Sequence, residues 1–318
     1  MRFRSVDRFS RIHSPRWMLR PLFALAAFLL TVAAAPAQDR GAVDPKPLPP
    51  LAHPEDPATP AKELFGRAPG PADLAARSIG FYARGCVAGA EALPVNGEAW
   101  QVMRLSRNRM WGHPALVDFL EQFAKRVPKV SRWRGILVGD ISQPRGGPML
   151  TGHASHQIGL DADIWLTPMP DRTLSRAERE EMSATNVVRE DGLDVDASKW
   201  TPDHLAVIRA AAQSASVQRI FVNAAIKKAI CREAAGDRSW LTKVRPMWGH
   251  NYHFHIRMAC PRGEEACTDQ DPVPPGDGCD QLAWWFTPAV LHPKPGRPKP
   301  PMTMAALPAE CRAVLRAR

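Results

Sequence analysis

The residues best placed to do chemistry lie in Gly152-His153-Ala154-Ser155-His156-Gln157-Ile158-Gly159-Leu160-Asp161-Ala162-Asp163, a stretch with two imidazoles and two carboxylates. The positions of His156 and Asp163 do not make neighbours on a helix face, but a loop returning into a strand could bring them around one ion. His253-Phe254-His255 supplies what such a site still needs. A catalytic zinc takes three protein ligands from His, Asp, Glu or Cys and leaves a fourth position for water. His156, Asp163 and His255 offer nitrogen, oxygen and nitrogen. An ion held there would bring the pKa of water down to about 7 and polarise a carbonyl. His253, on the same strand face as His255, is placed to carry a proton, and His250 is a second candidate for that role. His153 reads as an extra ligand or as a wall of the site. Asp161 is either an alternative ligand to Asp163 or the group that holds a histidine from behind.

Against this stands the ordinary fate of a histidine, which is a satisfied core or surface residue. His53, His113, His204 and His292 stand singly and carry that ordinary reading. The other five histidines beyond the leader fall into two short clusters, each beside an expected strand. Ser155 lies between two imidazoles, but no G-x-S-x-G elbow surrounds it. A nucleophilic cysteine would need a thiol spared from disulfides, and the even cysteine count leaves none over.

The elements that must position these residues follow from the apolar pattern. Leu160 to Leu166 alternates as a half-buried strand, with Asp161, Asp163 and Trp165 on one face and Ile164 and Leu166 on the other. In His253 to Met258 the same alternation separates His253, His255 and Arg257 from Phe254, Ile256 and Met258. Gly135 to Ile141 and Arg219 to Asn223 read as further strands. Leu116, Phe119, Leu120 and Phe123 recur at helical spacing behind Pro114, which suits a first turn. Thr201-Pro202 opens a second helix with Leu205, Ile208 and Ala212 on one face, and Ala224 to Ala235 forms a third. The charge-rich segment between Pro170 and Lys199 reads as a solvated face. The loop Gln143 to Pro148 serves a turn. The expected fold is α+β: a small central antiparallel sheet with flanking helices and long proline-rich loops.

The N-terminus reads as an export signal. Six arginines precede the apolar run Leu22 to Val32, and Ala33-Ala34-Ala35-Pro36-Ala37 forms a small-residue cleavage site, so residues 1–37 are an expected signal peptide. The run is shorter than the ~20 residues a membrane span needs, so no stable transmembrane anchor is expected. The leader carries six arginines against one aspartate, which leaves +5 of the chain's +10 to the rest. With no concentrated basic run beyond the leader, nucleic acid is excluded as a partner. All six cysteines lie beyond the leader, and in an oxidising compartment they read as three disulfides of undetermined connectivity, a local Cys260–Cys267 closure among the plausible pairs. Residues 38–77 form a proline-rich N-terminal segment, extended rather than packed. Residues 78–267 form the core, and 268–318 a second proline-rich arm packed back by a disulfide.

Gly-His-Ala-Ser-His-Gln-x-Gly-Leu-Asp-x-Asp at 152–163, with His-x-His at 253–255, resembles the penicillin-insensitive murein endopeptidases. These belong to the wider LAS metallopeptidase group, which also takes in lysostaphin-type enzymes, D-alanyl-D-alanine metallopeptidases and the zinc domain of hedgehog signals. The resemblance runs from about Ser78 onward and includes Gly112-His113-Pro114, the Arg219 to Asn223 strand and all six cysteines. It implies a periplasmic zinc metallopeptidase that hydrolyses the D-alanyl–meso-diaminopimelyl cross-links of peptidoglycan. It also implies His156, Asp163 and His255 as zinc ligands with His153 sharing in metal binding, His253 as general base or transition-state stabiliser, and His250 as a second catalytic histidine. The implied disulfides are Cys86–Cys311, Cys231–Cys279 and Cys260–Cys267. The family's Asp-Gly-x-His segment, associated with further metal binding, reads Asp191-Gly192-Leu193-Asp194 here, so Asp191 and Asp194 become candidates for a second ion whose site is in doubt. Substrate carboxylates would pair with Arg145, Arg257 or other nearby cations. Two other functions fit the same scaffold: a D,D-carboxypeptidase or dipeptidase, and a non-catalytic zinc-containing cell-wall binding domain.

Overall fold

In the computed structural model, which describes residues 40–294, 296 and 300–318, the two histidine-bearing segments supply neighbouring strands at the middle of a sheet, the first of them with its histidines in the loop before the strand. The expected signal peptide lies outside the described residues. The chain enters through α1 (Ala61–Phe65) and the hairpin of β1 (Arg77–Phe81) and β2 (Arg84–Ala88), then β3 (Glu91–Ala92), β4 (Trp100–Val102) and β5 (Trp111–Gly112). The long helix α2 (Pro114–Val130) leads to β6 (Ile136–Val138), β7 (Asp161–Trp165) and α3 (Arg176–Glu181). After these come α4 (Pro202–Ala212), β8 (Val217–Val222), α5 (Ala224–Glu233), β9 (Val244–Pro246) and β10 (His253–Met258). The C-terminal arm carries α6 (Pro288–Leu291) and α7 (Glu310–Arg316). The fold is α+β. Its main sheet has six strands in the order β4-β6-β7-β10-β8-β9. The four central strands are antiparallel as expected, but the outer pairs β4–β6 and β8–β9 are parallel, which makes the sheet mixed.

The period-two pattern of the central strands sorts their side chains. Ala162, Ile164, Ile220, Val222, Phe254 and Ile256 join one buried cluster with Leu116, Leu120 and Phe123 of α2, Ile208 of α4 and Ile226 of α5. α2 starts where expected, with His113 as its N-cap: the ring Nδ1 accepts the Ala115 N–H at 3.1 Å, and Pro114 fills the first turn. The opposite face of the sheet holds the polar residues, yet every residue of β7 is buried, so that strand is covered on both faces and not half-buried. The 170–199 segment also departs from a solvated loop. Its α3 turns Arg179 and Glu180 inward, where the Arg179 guanidinium donates to the Val102 carbonyl and to Gln101 and Asn96. A buried charge persists when donors and acceptors on other elements satisfy it, and no local pattern announces that.

The N-terminal segment is largely exposed up to residue 59, but its end packs. Ala61 and Phe65 of α1 are fully buried in a second small core with Ile79, Cys86, Leu307 and Val314. The disulfides are Cys86–Cys311, Cys231–Cys279 and Cys260–Cys267, the connectivity the resemblance implied. The first fastens α7 onto β2. The described residues form one compact unit, and no described helix is long and apolar enough to cross a membrane.

Candidate functional site

The register of β7 against β10 builds the site. Trp165 stands opposite His253, Asp163 opposite His255, and Asp161 opposite Arg257. Alternation therefore puts two carboxylates, two imidazoles and a guanidinium on one sheet face, as their spacing predicted. Phe221 of β8 stands opposite His255 on its other side, and the two rings meet edge to face at 5.4 Å.

His156 arrives from the loop before β7. Its backbone is left-handed, with φ of 66°, a conformation that costs a non-glycine residue about 1–3 kcal/mol and persists only where the surroundings enforce it. Here its N–H donates to Asp161 Oδ2 at 3.0 Å. Gly159, with φ of 71°, completes the turn, and a Cβ there would meet the His113 nitrogen at 2.8 Å. The ring Nδ1 of His156 lies 2.6 Å from the Ile141 carbonyl oxygen. A carbonyl only accepts, so Nδ1 carries the hydrogen and, in the neutral ring, Nε2 keeps its lone pair.

That lone pair faces Asp163. His156 Nε2 and Asp163 Oδ1 are 3.5 Å apart, and both are buried without a hydrogen-bond partner among the described residues. His255 Nδ1 comes within 3.2 Å of the same oxygen, and His153 Nε2 within 3.5 Å of Asp163 Oδ2. His153, His156 and Asp163 form a group whose ligand atoms lie within 4.8 Å of one another. Tetrahedral ligands about 2.0–2.1 Å from a zinc ion stand about 3.3 Å from each other. Orphaned buried acceptors at that spacing fit a cation between them, since each left unpaired costs about 1–3 kcal/mol.

Behind these atoms lies a second row. Asp161, fully buried, accepts from Arg257 Nε at 2.8 Å and Nη2 at 3.1 Å, and its Oδ1 lies 3.0 Å from His255 Nε2. Burial alone would raise the Asp161 carboxyl, but Arg257 and His255 hold it well below the usual carboxylate range. Burial likewise opposes ionisation of Asp163, and the imidazoles around it outweigh that effect. Arg257 is itself sandwiched, 4.2 Å from the Tyr82 ring centroid and 5.1 Å from that of Phe221.

His253 Nε2 is 3.6 Å from Asp163 Oδ1. Burial pushes His253 down to about 4, so the ring is neutral at pH 7. His250, also left-handed with φ of 53°, has its ring 4.7 Å from that of His253. It donates from Nδ1 to the Trp248 carbonyl at 2.8 Å, and burial with the neighbouring imidazoles pushes it down to about 3. The five clustered histidines thus converge, while His113 and His204 serve as helix caps, the ordinary role expected of them. Asp191 and Asp194 do not line the cleft: Asp191 pairs with Arg189, and Asp194 with Arg232 at 2.9 Å and Lys228 at 3.4 Å.

A cleft of about 270 Å³ opens beside His153, Asp163 and His253. Its wall carries residues the sequence reading passed over. Asp140, buried, gathers His153 Nε2 at 2.9 Å, Arg109 Nη1 at 2.9 Å and Arg107 Nη1 at 3.1 Å on one oxygen, Oδ2. Burial would raise this carboxyl, but His153, Arg109 and Arg107 hold it well below the usual range. A carboxylate just past the apolar run Ile136-Leu137-Val138 was the available signal, because a buried charge there needs partners. Of the cations proposed for substrate carboxylates, Arg145 donates to the Gly70, Val314 and Leu315 carbonyls and Arg257 is locked to Asp161. Both are structural. The cations that line the cleft are Arg104, Arg107 and Arg109.

Fold and site together define a histidine–carboxylate cluster set on the central antiparallel strands of an α+β scaffold. The profile of the penicillin-insensitive murein endopeptidases matches residues 78–316. A protein of that name from Haemophilus influenzae is 48% identical over 225 residues, 70% of this chain and 77% of its own length. One from Salmonella paratyphi C is 44% identical over 260 residues, 81% and 91% of the two chains. The chain belongs to the penicillin-insensitive murein endopeptidase family.

Proposed function

We propose that this chain is a zinc-dependent peptidoglycan hydrolase of the periplasm that cuts D-alanyl–meso-diaminopimelyl cross-links. The observation that carries the reading is the convergence of His156 Nε2, Asp163 Oδ1 and His255 Nδ1. Those three residues would hold one ion, with His153 at its margin. Zinc would supply Lewis acidity toward the scissile carbonyl and lower the pKa of an attacking water. The protein's own part is to place and move protons. His253, neutral at pH 7 because it is buried, is a base ready to take the proton of water and return it to the leaving amine. His250 packs against His253 and is fixed through its bond to the Trp248 carbonyl, so it would steady that imidazole or share the proton. Asp161 orients His255 and the His156 turn. Arg107 and Arg109 give the cleft a positive wall toward the free carboxylates of the peptide stems. We assign one ion, because Asp191 and Asp194 are already neutralised by arginine and lysine.

The test is a digest of purified cross-linked muropeptide dimers by the chain without its leader, with zinc and with chelator. Monomers are expected with zinc and intact dimers with chelator. Zinc-loaded protein that leaves the dimers intact would sink the reading, and release of free D-alanine in place of monomers would move the scissile bond.

A further inference from the structure

One rim of the cleft is cationic and the other is aromatic. Trp248, on the loop that carries His250, lines the cleft and is 53% exposed. Trp284, from the C-terminal arm, is 54% exposed and meets it with ring centroids 5.7 Å apart. Trp285 closes the group at 4.9 Å from Trp248 and 5.1 Å from Trp284. Large apolar rings left clustered at the surface mark an interaction site, because each forgoes burial that the core would have provided. The cluster is also anchored. The Cys231–Cys279 disulfide ties the arm to α5 just before the tryptophans, Arg238 holds Asp277 at 2.7 Å, and Lys228 Nζ sits 5.2 Å from the Phe286 ring centroid. Two distant segments therefore meet to build a single aromatic surface that runs into the cleft.

We infer that Trp248, Trp284 and Trp285 form a docking platform for the glycan strand of the substrate polymer. This deepens the function proposed above and rests on it. A cross-linked wall polymer carries two chemistries within a few bonds of each other. Its peptide stems bear carboxylates, which suit the Arg107 and Arg109 side of the cleft. Its sugars are neutral pyranoses whose apolar C–H faces stack on indole rings while their hydroxyls stay in water. The platform presents rings, and through Trp248 it is continuous with the cleft that holds the histidines. The Trp248 carbonyl also fixes His250, so a sugar seated on Trp248 would settle the loop that carries a histidine of the site.

Two measurements test this on the chain without its leader, using Trp284→Ala and Trp284→Gln. The first is co-sedimentation with insoluble β-1,4-linked N-acetylglucosamine strands, which are neutral and carry no peptide, with phosphatidylethanolamine–phosphatidylglycerol vesicles as the comparison. The second is the ratio of hydrolysis rates on glycan-bearing cross-linked polymer and on the sugar-free cross-linked peptide dimer. The parent chain is expected to sediment with the strands. Both variants should lose about tenfold in strand affinity, and the rate ratio should fall by a similar factor. Strand binding unchanged in both variants overturns the inference. So does an equal loss on both substrates, or Trp284-dependent binding to vesicles and not to strands. A parent chain that binds strands but cleaves neither substrate overturns the endopeptidase reading and leaves the platform standing.

Discussion

Asp161→Asn removes one charge and almost no volume, so its effect reads the electrostatic work of this buried carboxylate. Arg257, itself buried, would lose the counter-charge it contacts at 2.8 and 3.1 Å, and breaking one half of such a pair costs about 3–5 kcal/mol. The aromatic faces of Tyr82 and Phe221 and the bond to Gln270 at 2.9 Å still support the guanidinium, which favours the lower end of that range. The asparagine oxygen can still accept the His156 N–H, so the left-handed turn keeps its closure. A loss of about 3 kcal/mol is expected, a large fraction of the ~5–15 kcal/mol that stabilises an ordinary domain. Urea unfolding followed by circular dichroism, in chelator and with disulfides intact, measures it free of metal linkage. The same variant should bind zinc roughly 10–100-fold more weakly, because His255 loses the charge beside its Nε2. Arg257→Met completes a double-mutant cycle. The double variant should be less destabilised than the sum of the singles by at least about 1 kcal/mol, since each single leaves an unpaired buried charge and the double leaves none. Additivity within about 0.5 kcal/mol, or an Asp161→Asn chain as stable as its parent, would refute the argument.

Zinc at about 100 times its Kd should add about 2.7 kcal/mol of stability, seen as a rise in melting temperature that chelator reverses. His156→Ala should abolish that rise, and a rise that survives it places the ion elsewhere. Asp140→Asn is expected to slow muropeptide hydrolysis by roughly 10–100-fold through a loosened His153, and an unchanged rate would make the Asp140 group purely structural. Lys227 is fully buried and donates to the Leu241 and Asp277 carbonyls, and burial pushes its ammonium down to about 8 from 10.5. Between those two pH values the unfolded chain holds a proton that the folded chain has released, so stability should rise with pH there, by about 3 kcal/mol at most. Lys227→Met should flatten that slope in urea titrations, and a parent chain with no rise above pH 8 contradicts the shift. Cys86→Ser with Cys311→Ser opens a loop of 225 residues, and the chain-entropy account puts the loss near its upper end, about 5 kcal/mol. Urea midpoints of the two chains check it.

What the sequence alone makes legible is what the backbone period encodes. Alternation alone put Asp161 and Asp163 on one face of a strand and His253, His255 and Arg257 on one face of another. Only the pairing register was needed to set them opposite each other. The helix at Pro114 and the site histidines were legible for the same reason, since local periodicity and clustering are written in consecutive residues. Asp140, Arg107 and Arg109 were not, because nothing local says that a carboxylate after β6 will meet two guanidiniums from the loop near β5 and an imidazole from the loop before β7. The burial of Arg179 and Glu180 was hidden in a run of charge for the same cause.

The two arginines named as candidates for substrate carboxylates carry the point further. Arg145 and Arg257 were attractive as substrate cations because each is a charge close in sequence to the site. In the fold Arg145 satisfies carbonyls at the end of α7, and Arg257 neutralises the carboxylate that sets His255. A buried arginine is spent on internal acceptors unless the cleft reaches it, whereas Arg107 and Arg109 each serve Asp140 and also line the cleft. One carboxylate can therefore hold His153 in place and gather positive charge for an anionic substrate. Losing Asp140 should for that reason disturb metal and substrate together, whereas losing Trp284 should disturb only the polymer.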